Sequence, residues 1–506
     1  MTRTSVRLTL SLAAIAAACT LGLRAQAPLA NSEAELQFQL ATLLLEENRY
    51  GEALDAYELA SRAEDADLAR RAQKGVVKTS LRLARFADAR AKAEALRADA
   101  PDDVEALTLY ADALWSAGLF DEAETTYREA AAREPGSSRA RYGIARSLAT
   151  RSRYPEALQE AQAALAAAPR DGEIHASIGE IYERMHRFDE AAAAYTNFIN
   201  LLPNKDRSDK AAWTRAQVRF LEAFSGRTPV EIDEEDNRMR HTVPFRLVND
   251  KIVVRARVNG SPLMDFILDT GSEETVISRE TAQRRNVRPI TYTLSAGVGE
   301  VGLRGLQLAR LDSLEIGTLQ VRNLPVLIKN PALRGIPRRE GESFSPLSLG
   351  MSMTIDYENK LLTIARDLSA DASGTTLPMR VHRLAMVRGV LNESMPSYFV
   401  VDTGGEVISI SGEVAEQLKD TAPGIRRVPL RVYGTSGWDR DAFLLPGQNL
   451  HFDEIRYRNY SLVVLNLRAP SVLLGFQVGG IVGHKFLSEY RVSMDLARSE
   501  LRLERF

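Results

Sequence analysis

A chain of 506 residues with 45% hydrophobic and 26% charged residues is long enough for two or three domains, each with its own core, and its composition is neither disordered nor fibrous. Its formal net charge of -2, with only 6 His, provides no bulk attraction to nucleic acid or to an anionic membrane surface, so neither partner is implied.

The first residues read as an export signal. Arg3 and Arg7 supply a positive start, residues 8–23 are mostly apolar, and Ala25-Gln26-Ala27 has the small-x-small form of a cleavage site. The pattern predicts a signal peptide over 1–27 and an exported protein, periplasmic or secreted. The single cysteine, Cys19, falls inside it, so the mature chain is expected to form no disulfide and hold no thiolate metal site. A cut before Cys19 would instead give a lipoprotein, but Ala16 stands where such sites carry a larger aliphatic residue. No other stretch is long enough to span a bilayer.

From 31 to 225 the apolar residues recur at helical spacing. Phe86, Phe120, Tyr154 and Phe188 follow one another at a step of 34 residues, as do Ala89, Ala123, Ala157 and Ala191, and Pro101, Pro135, Pro169 and Pro203. An offset copy with Tyr50, Ala53, Tyr57 and Ala60 precedes them. This period, with an aromatic, a small residue three on and a closing proline, resembles the tetratricopeptide repeat, whose helix pairs bury their apolar faces only against the next pair. The stretch 208–224, with Trp213, Phe220 and Leu221, is expected to be a polar-faced capping helix. No chemistry is expected in this segment; such a solenoid offers a concave surface for a protein partner.

Residues 226–240 are charged and lose both periods, as a linker would. Beyond them Val, Ile, Phe and Leu alternate, punctuated by Asn249-Asp250 and Asn259-Gly260, which are hairpin turn signals. Within this β region the stretch FILDTGSEETVIS (266–278) recurs as YFVVDTGGEVISIS (398–411), with Asn259, Phe266, Asp269 and Gly271 matching Asn392, Phe399, Asp402 and Gly404. Downstream, 353–364 and 492–503 pair Asp356 with Asp495. Two copies of one unit are therefore expected, over 241–368 and 376–506.

One Asp-Thr-Gly after a strand is commonplace. Two, at equivalent positions of a duplicated unit, are expected to meet at a pseudo-twofold axis, where adjacent carboxyls share a proton and divide into a base and an acid able to activate water.

At this point the β region resembles the aspartic peptidases, both the two-lobed pepsin type and the retropepsin type in which each subunit supplies one Asp-Thr-Gly. Together with the repeats, the chain is similar to exported bacterial aspartyl proteases that carry tetratricopeptide repeats. The resemblance implies a multidomain α plus β protein: an N-terminal α-solenoid followed by a bilobal, mainly-β acid-protease-like domain. It implies Asp269 and Asp402 as the catalytic dyad of an endopeptidase acting on peptide or protein substrates without metal or other cofactor. It further implies crossed hydrogen bonds of Thr270 and Thr403, with Gly271 and Gly404 admitting backbone amides to the carboxylates. Such enzymes cover the dyad with a β-hairpin flap. The candidates are SAGVGEVGLRG, with Gly297 and Gly299, and RVYGTSGW, with Tyr433, Gly434 and Trp438 at the cleft.

Departures from the family pattern carry expectations of their own. Ser272 is expected to hydrogen-bond its carboxylate, which Gly405 cannot do through a side chain, so Asp402 is expected to be the protonated partner. The apolar-apolar-Gly element bracing the Asp loop is evident as Ile481-Val482-Gly483. In the first half the same offset lands on Phe344, with Leu349-Gly350 as the nearest match, so that brace reads as degenerate. A catalytically inactive peptide-binding scaffold is the alternative these departures motivate.

Other chemistries find no motif: there is no H-E-x-x-H, G-x-S-x-G or phosphate-binding loop. Gly297, Gly299 and Gly302 spell G-x-G-x-x-G but precede strand-like sequence rather than a helix, so no dinucleotide site is expected. The basic run 336–340 reads as a solvated loop, and His484 as a surface or capping residue.

Overall fold

The computed structural model describes residues 29–299, 302–329, 341–368, 373–421 and 427–506. The expected signal segment with Cys19, the basic run 336–340, and Glu300 and Val301 of the first flap candidate lie outside the described residues. The chain divides into two compact units, Met1–Asp99 and Ala100–Phe506.

The first unit contains two helix pairs: α1 (Asn31–Glu46), α2 (Tyr50–Ala60), α3 (Ala66–Arg82) and α4 (Phe86–Asp99). Ala41, Leu44, Ala53, Leu54, Tyr57, Ala72 and Val76 form its core. Gly75 lies flat on the Tyr57 ring, where an added Cβ would sit 2.5 Å away, so this helix contact exists only without a side chain.

The second unit opens with α5 (Val104–Ser116), α6 (Phe120–Arg133), α7 (Ser138–Ala149), α8 (Tyr154–Ala167), α9 (Gly172–Arg184), α10 (Phe188–Leu201) and α11 (Asp209–Glu222). Asp103, Ser137 and Asp171 cap α5, α7 and α9, accepting from the amides of Ala106, Ala140 and Glu173. Each first helix turns into the second through a left-handed residue: Gly118 (77°), Ser152 (55°) and His186 (57°). Each second helix stops two residues before Pro135, Pro169 or Pro203, because a residue before proline is disfavoured in the helical region. This is a consecutive-helix solenoid of tetratricopeptide type, followed by a mainly-β region.

Two β arrays with one strand order make up the rest. The first runs Lys251–Val258, Met264–Leu268, Glu342–Phe344, Thr275–Ile277, Leu319–Ile328, Leu303–Ile316, Pro289–Ala296. The second runs Leu384–Leu391, Met395–Val401, Gly480–Val482, Ser409–Ser411, Ile455–Leu465, Phe443–Phe452, Val428–Pro429. Both hairpin turns ahead of the repeated motif are left-handed at both central residues, Asn259 (48°) with Gly260 (67°) and Asn392 (46°) with Glu393 (61°). Strands Ser352–Asp356 and Tyr490–Asp495 pair antiparallel between the halves. Thr354 and Ser493, equivalent in the duplication, face each other there with hydroxyls 2.9 Å apart, which marks the local twofold.

Two sequence expectations are corrected here. Residues 226–240 are no free linker: Val230 is buried, Glu231 exchanges both backbone hydrogen bonds with Arg322, and the Arg322 guanidinium binds Asp233 at 2.6 Å. The segment lacks periodicity because it is a single strap on a β edge. Helix α11 likewise is not a polar-faced cap, since Phe220, Leu221 and, just beyond its end, Phe224 are buried in a cluster with Leu308 of the first β array.

The solenoid is fused to the β region through its intra-repeat turns. Ser116 accepts from Gln477 N–H (2.8 Å), Thr150 from Val381 N–H (2.6 Å) and Arg151 from Ser499 Oγ (2.6 Å). The third turn, at His186, lies against Gly350 of the first half. Successive repeats thus step across both halves.

Candidate functional site

The two Asp-Thr-Gly turns are built alike. Strand Met264–Leu268 pairs in parallel with Glu342–Phe344, and Met395–Val401 with Gly480–Val482. The amide of Asp269 then donates to Phe344 O (2.9 Å) and that of Asp402 to Val482 O (3.0 Å). The first brace is therefore intact and lies at 342–345, not at Leu349-Gly350. Its register shifts by one residue relative to the offset read in sequence, and because a backbone carbonyl does the bracing, the side chains there need not resemble Ile-Val-Gly.

Between the turns, Thr270 and Thr403 exchange two hydrogen bonds, and each hydroxyl adds one to a carbonyl of the opposite loop. Thr270 N–H donates to Thr403 Oγ1 (3.1 Å) and Thr403 N–H to Thr270 Oγ1 (3.0 Å). Thr270 Oγ1 donates to Val401 O (2.6 Å), and Thr403 Oγ1 to Leu268 O (2.7 Å). Both side chains are buried, which fixes the separation of the two loops.

The carboxyls of Asp269 and Asp402 hydrogen-bond each other. Gly271 N–H donates to Asp269 Oδ1 (3.1 Å) and Gly404 N–H to Asp402 Oδ1 (2.7 Å). A Cβ at Gly271 would lie 2.5 Å from Asp402, and one at Gly404 2.6 Å from Asp269, so glycine is required by the close approach of the partner carboxyl.

Burial and the Asp402 charge push Asp269 up to about 7. Burial also raises Asp402, but the amides of Gly404 and Gly405, the Lys251 charge and the hydrogen bond from Asp269 pull it back down. Both carboxyls are raised together, so the buried pair holds one shared proton, and the donors and cation around Asp402 favour it as the ionised member, whereas the sequence expectation placed the proton there. Ser272 Oγ turns away from Asp269 to donate to Glu274 O (2.9 Å), and the Gly405 amide donates to the Asp402 backbone carbonyl (3.2 Å), so neither fourth residue of the motif puts a hydroxyl on its carboxylate.

Above the dyad both flap candidates are hairpins that meet at their tips. Ala296 pairs with Leu303 in the first and Tyr433 with Trp438 in the second, which also places the G-x-G-x-x-G glycines in a β-hairpin. Ser436 N–H donates to Val298 O (2.9 Å) and the Arg304 guanidinium to Thr435 O (2.8 Å). Gly297 abuts Thr435, and Gly299 (φ 134°) abuts the Ser436 backbone. Tyr433 and Gly434 line the cavity below. Trp438 does not: it packs edge-on against its cross-strand partner Tyr433 at 5.2 Å and is 40% exposed.

A cavity of about 1880 Å³ runs from Asp269 and Ser272 past Tyr433 to the solenoid, where Glu180, Arg184 and Gln217 wall it. Glu274, also in its wall, is pushed up to about 8 by burial, and neighbouring Glu273 pairs with Arg383 at 2.6 Å. The Glu342 carboxylate accepts from Ser278 Oγ (2.8 Å) and Thr281 Oγ1 (2.5 Å), tying the first brace to the helix Arg279–Arg284. His484 is buried, not a surface residue, with Nδ1 3.5 Å from Tyr357 Oη. Sequence reasoning missed Lys251, Glu274 and the solenoid wall; their partners are remote in the chain, and no spacing announces them.

Residues 254–353 match the model of the aspartyl protease family, and 78–138, 111–172 and 142–199 match that of the tetratricopeptide repeat. The first match covers one half of the β region, with Asp269 inside it and Asp402 beyond it. The chain thus carries an aspartyl protease domain and tetratricopeptide repeats. No curated protein matches it. Among solved structures it is similar to TTC0263, a thermophilic tetratricopeptide protein of Thermus thermophilus (20% identity, 38% of this chain and 99% of that chain, TM-score 0.33). It is also similar to MamA from AMB-1 (22%, 33% and 98%, 0.23) and to YrrB, described as having an unusual peptide-binding site (18%, 33% and 86%, 0.22). Among the described residues no helix is long and apolar enough to cross a membrane.

Proposed function

We propose that this protein is an exported aspartic endopeptidase that hydrolyses peptide bonds through a water activated by Asp269 and Asp402. The observation that carries the reading is the unequal, hydrogen-bonded carboxyl pair. Asp402, the ionised partner, takes a proton from water as it attacks the peptide carbonyl, while Asp269 gives its proton to the carbonyl oxygen; the C–N bond then breaks as the proton on Asp402 passes to the leaving nitrogen and a hydroxyl proton of the diol returns to Asp269. Closed flaps keep bulk water out, so the charge that develops is stabilised by fixed groups rather than by solvent.

The subtype we favour is retropepsin-like, duplicated within one chain, because each half contributes its own Asp-Thr-Gly and its own flap. The solenoid's part is substrate recruitment: Glu180, Arg184 and Gln217 face the same cavity as Asp269, so a peptide bound there also touches the repeats. Export rests on the residue pattern of 1–27 alone, with a periplasmic or secreted location. The scaffold alternative loses one of its two motives, since the Phe344 carbonyl braces the Asp269 loop.

The test is cleavage of a peptide library from acidic to neutral pH by the mature protein beside Asp269→Asn and Asp402→Asn. Turnover abolished by either substitution supports the reading. Peptide binding without turnover at any pH overturns it in favour of a scaffold.

A further inference from the structure

Lys251 opens strand Lys251–Val258 directly after a turn in which Asn249 and Asp250 are both left-handed (50° and 58°). That tight reversal aims its side chain toward the opposite half, where Nζ donates to the carbonyl of Gly404 at 2.5 Å. The amide of the same Gly404 donates to Asp402 Oδ1 at 2.7 Å. One glycine thus holds the carboxylate with its N–H and the ammonium with its C=O. The duplication places Leu384 at the equivalent position of the second half, so this cation belongs to the first half alone.

We propose that Lys251 is a positioning residue for the dyad: anchored on the Gly404 carbonyl, it breaks the twofold symmetry of the site and determines that Asp402 is the ionised carboxyl and Asp269 the protonated one. The labels base and acid rest on the peptidase reading above, whereas the asymmetry itself does not.

The groups around it are consistent with that role. Asp250 comes from its own turn, and His484, from the short helix His484–Leu487 of the second half, is held neutral by burial and senses both Asp250 and Lys251. The His484 amide donates to Gly405 O (2.9 Å), so the same helix end also secures the Asp402 loop. Tyr357 approaches His484 without adding charge. The Lys251 charge reaches both carboxyls and favours their ionised forms. Lys329, whose Nζ donates to Gly341 O at 2.6 Å, is a second cation that favours the ionised form of Asp269. With the Gly404 amide on the Asp402 carboxylate, an added cation on that loop leaves Asp269 as the place for the single proton.

The experiment is a carbon-13 carboxyl NMR titration of the intact protein, with Asp269→Asn and Asp402→Asn locating the two resonances. Lys251→Met and Lys251→Gln are compared with the wild type; the glutamine retains a donor for Gly404 but no charge. In both variants the lower of the two dyad pKa values is expected to rise by about one unit, a tenfold change in proton affinity. Both carboxyls are then expected to titrate more alike. If both values stay where they are in the folded variants, or if Lys251→Gln behaves as wild type, the proposal is overturned. Because the readout is protonation, wild-type protein that titrates asymmetrically but cuts no peptide would sink the peptidase reading alone. In an active enzyme the acid limb of kcat/KM moves upward with the titration.

Discussion

Asp121, on the second helix of a solenoid repeat, binds Arg380, on a strand of the second β half, at 2.5 Å. The guanidinium is 2% exposed and also reaches Glu124 (2.9 Å) and Thr150 Oγ1 (3.1 Å), while Tyr398 Oη donates to Asp121 (2.6 Å). A buried cation between two carboxylates fastens the repeats of the second unit to its β region. Arg380→Ala removes the buried cation from Asp121 and Glu124 and leaves them only the more exposed Arg128, Arg151 and Arg388, an expected loss of about 3 kcal/mol. Denaturant unfolding followed by circular dichroism checks this. Helix and sheet signals should be lost together in the wild type and come apart in the variant.

The threonine lock between the two aspartate loops is addressed by Thr403→Val, which preserves shape and removes the hydroxyl. The amide of Thr270 and the carbonyl of Leu268 lose their partner, each costing about 1–3 kcal/mol in the buried interface. Thr403→Ser, which retains the hydroxyl, is expected to recover most of that. Melting temperature and turnover, measured on both, should fall together in the valine variant and recover together in the serine one.

Stability should depend on pH through Asp269. Its carboxyl keeps a proton up to about 7 in the fold, whereas the unfolded chain releases it near 3.8. The folded state therefore binds more protons across that window, so stability falls as pH rises through it. Asp269→Asn removes the effect and is expected to melt above the wild type at neutral pH and close to it under acid conditions. Calorimetry at several pH values checks the sign. In the active protein the same titration is expected to switch activity off as pH rises past about 7.

Flap closure depends on Gly434, where an added Cβ would lie 2.2 Å from Val298 O. Gly434→Ala is expected to separate the hairpin tips, raising KM several-fold while leaving the melting temperature nearly unchanged, because few buried apolar groups are involved. Steady-state kinetics beside thermal unfolding distinguish this from a general loss of fold.

How much of this was legible in the sequence follows from where the information is stored. The 34-residue step, the alternating β texture and the doubled Asp-Thr-Gly are patterns along the chain, since each records a local requirement: a helix face, a strand face, a turn that admits a second carboxyl. They suffice for the α-solenoid, the mainly-β region and the two aspartates. The first brace was misread because its function lies in the Phe344 carbonyl, which every residue type possesses. The surroundings of the shared proton were not readable because the Gly404 amide that holds Asp402 is a backbone group, and Lys251 reaches the Gly404 carbonyl from 153 positions away. Helix α11 and the strap at 226–240 show apolar and charged residues whose partners, Leu308 and Arg322, lie about a hundred positions away. Repeats and motifs are determined by neighbours in the chain and so were readable from it; the asymmetry of the dyad, the meeting of the flaps and the solenoid wall of the cavity arise from contacts between distant segments, and only the tertiary structure decides those.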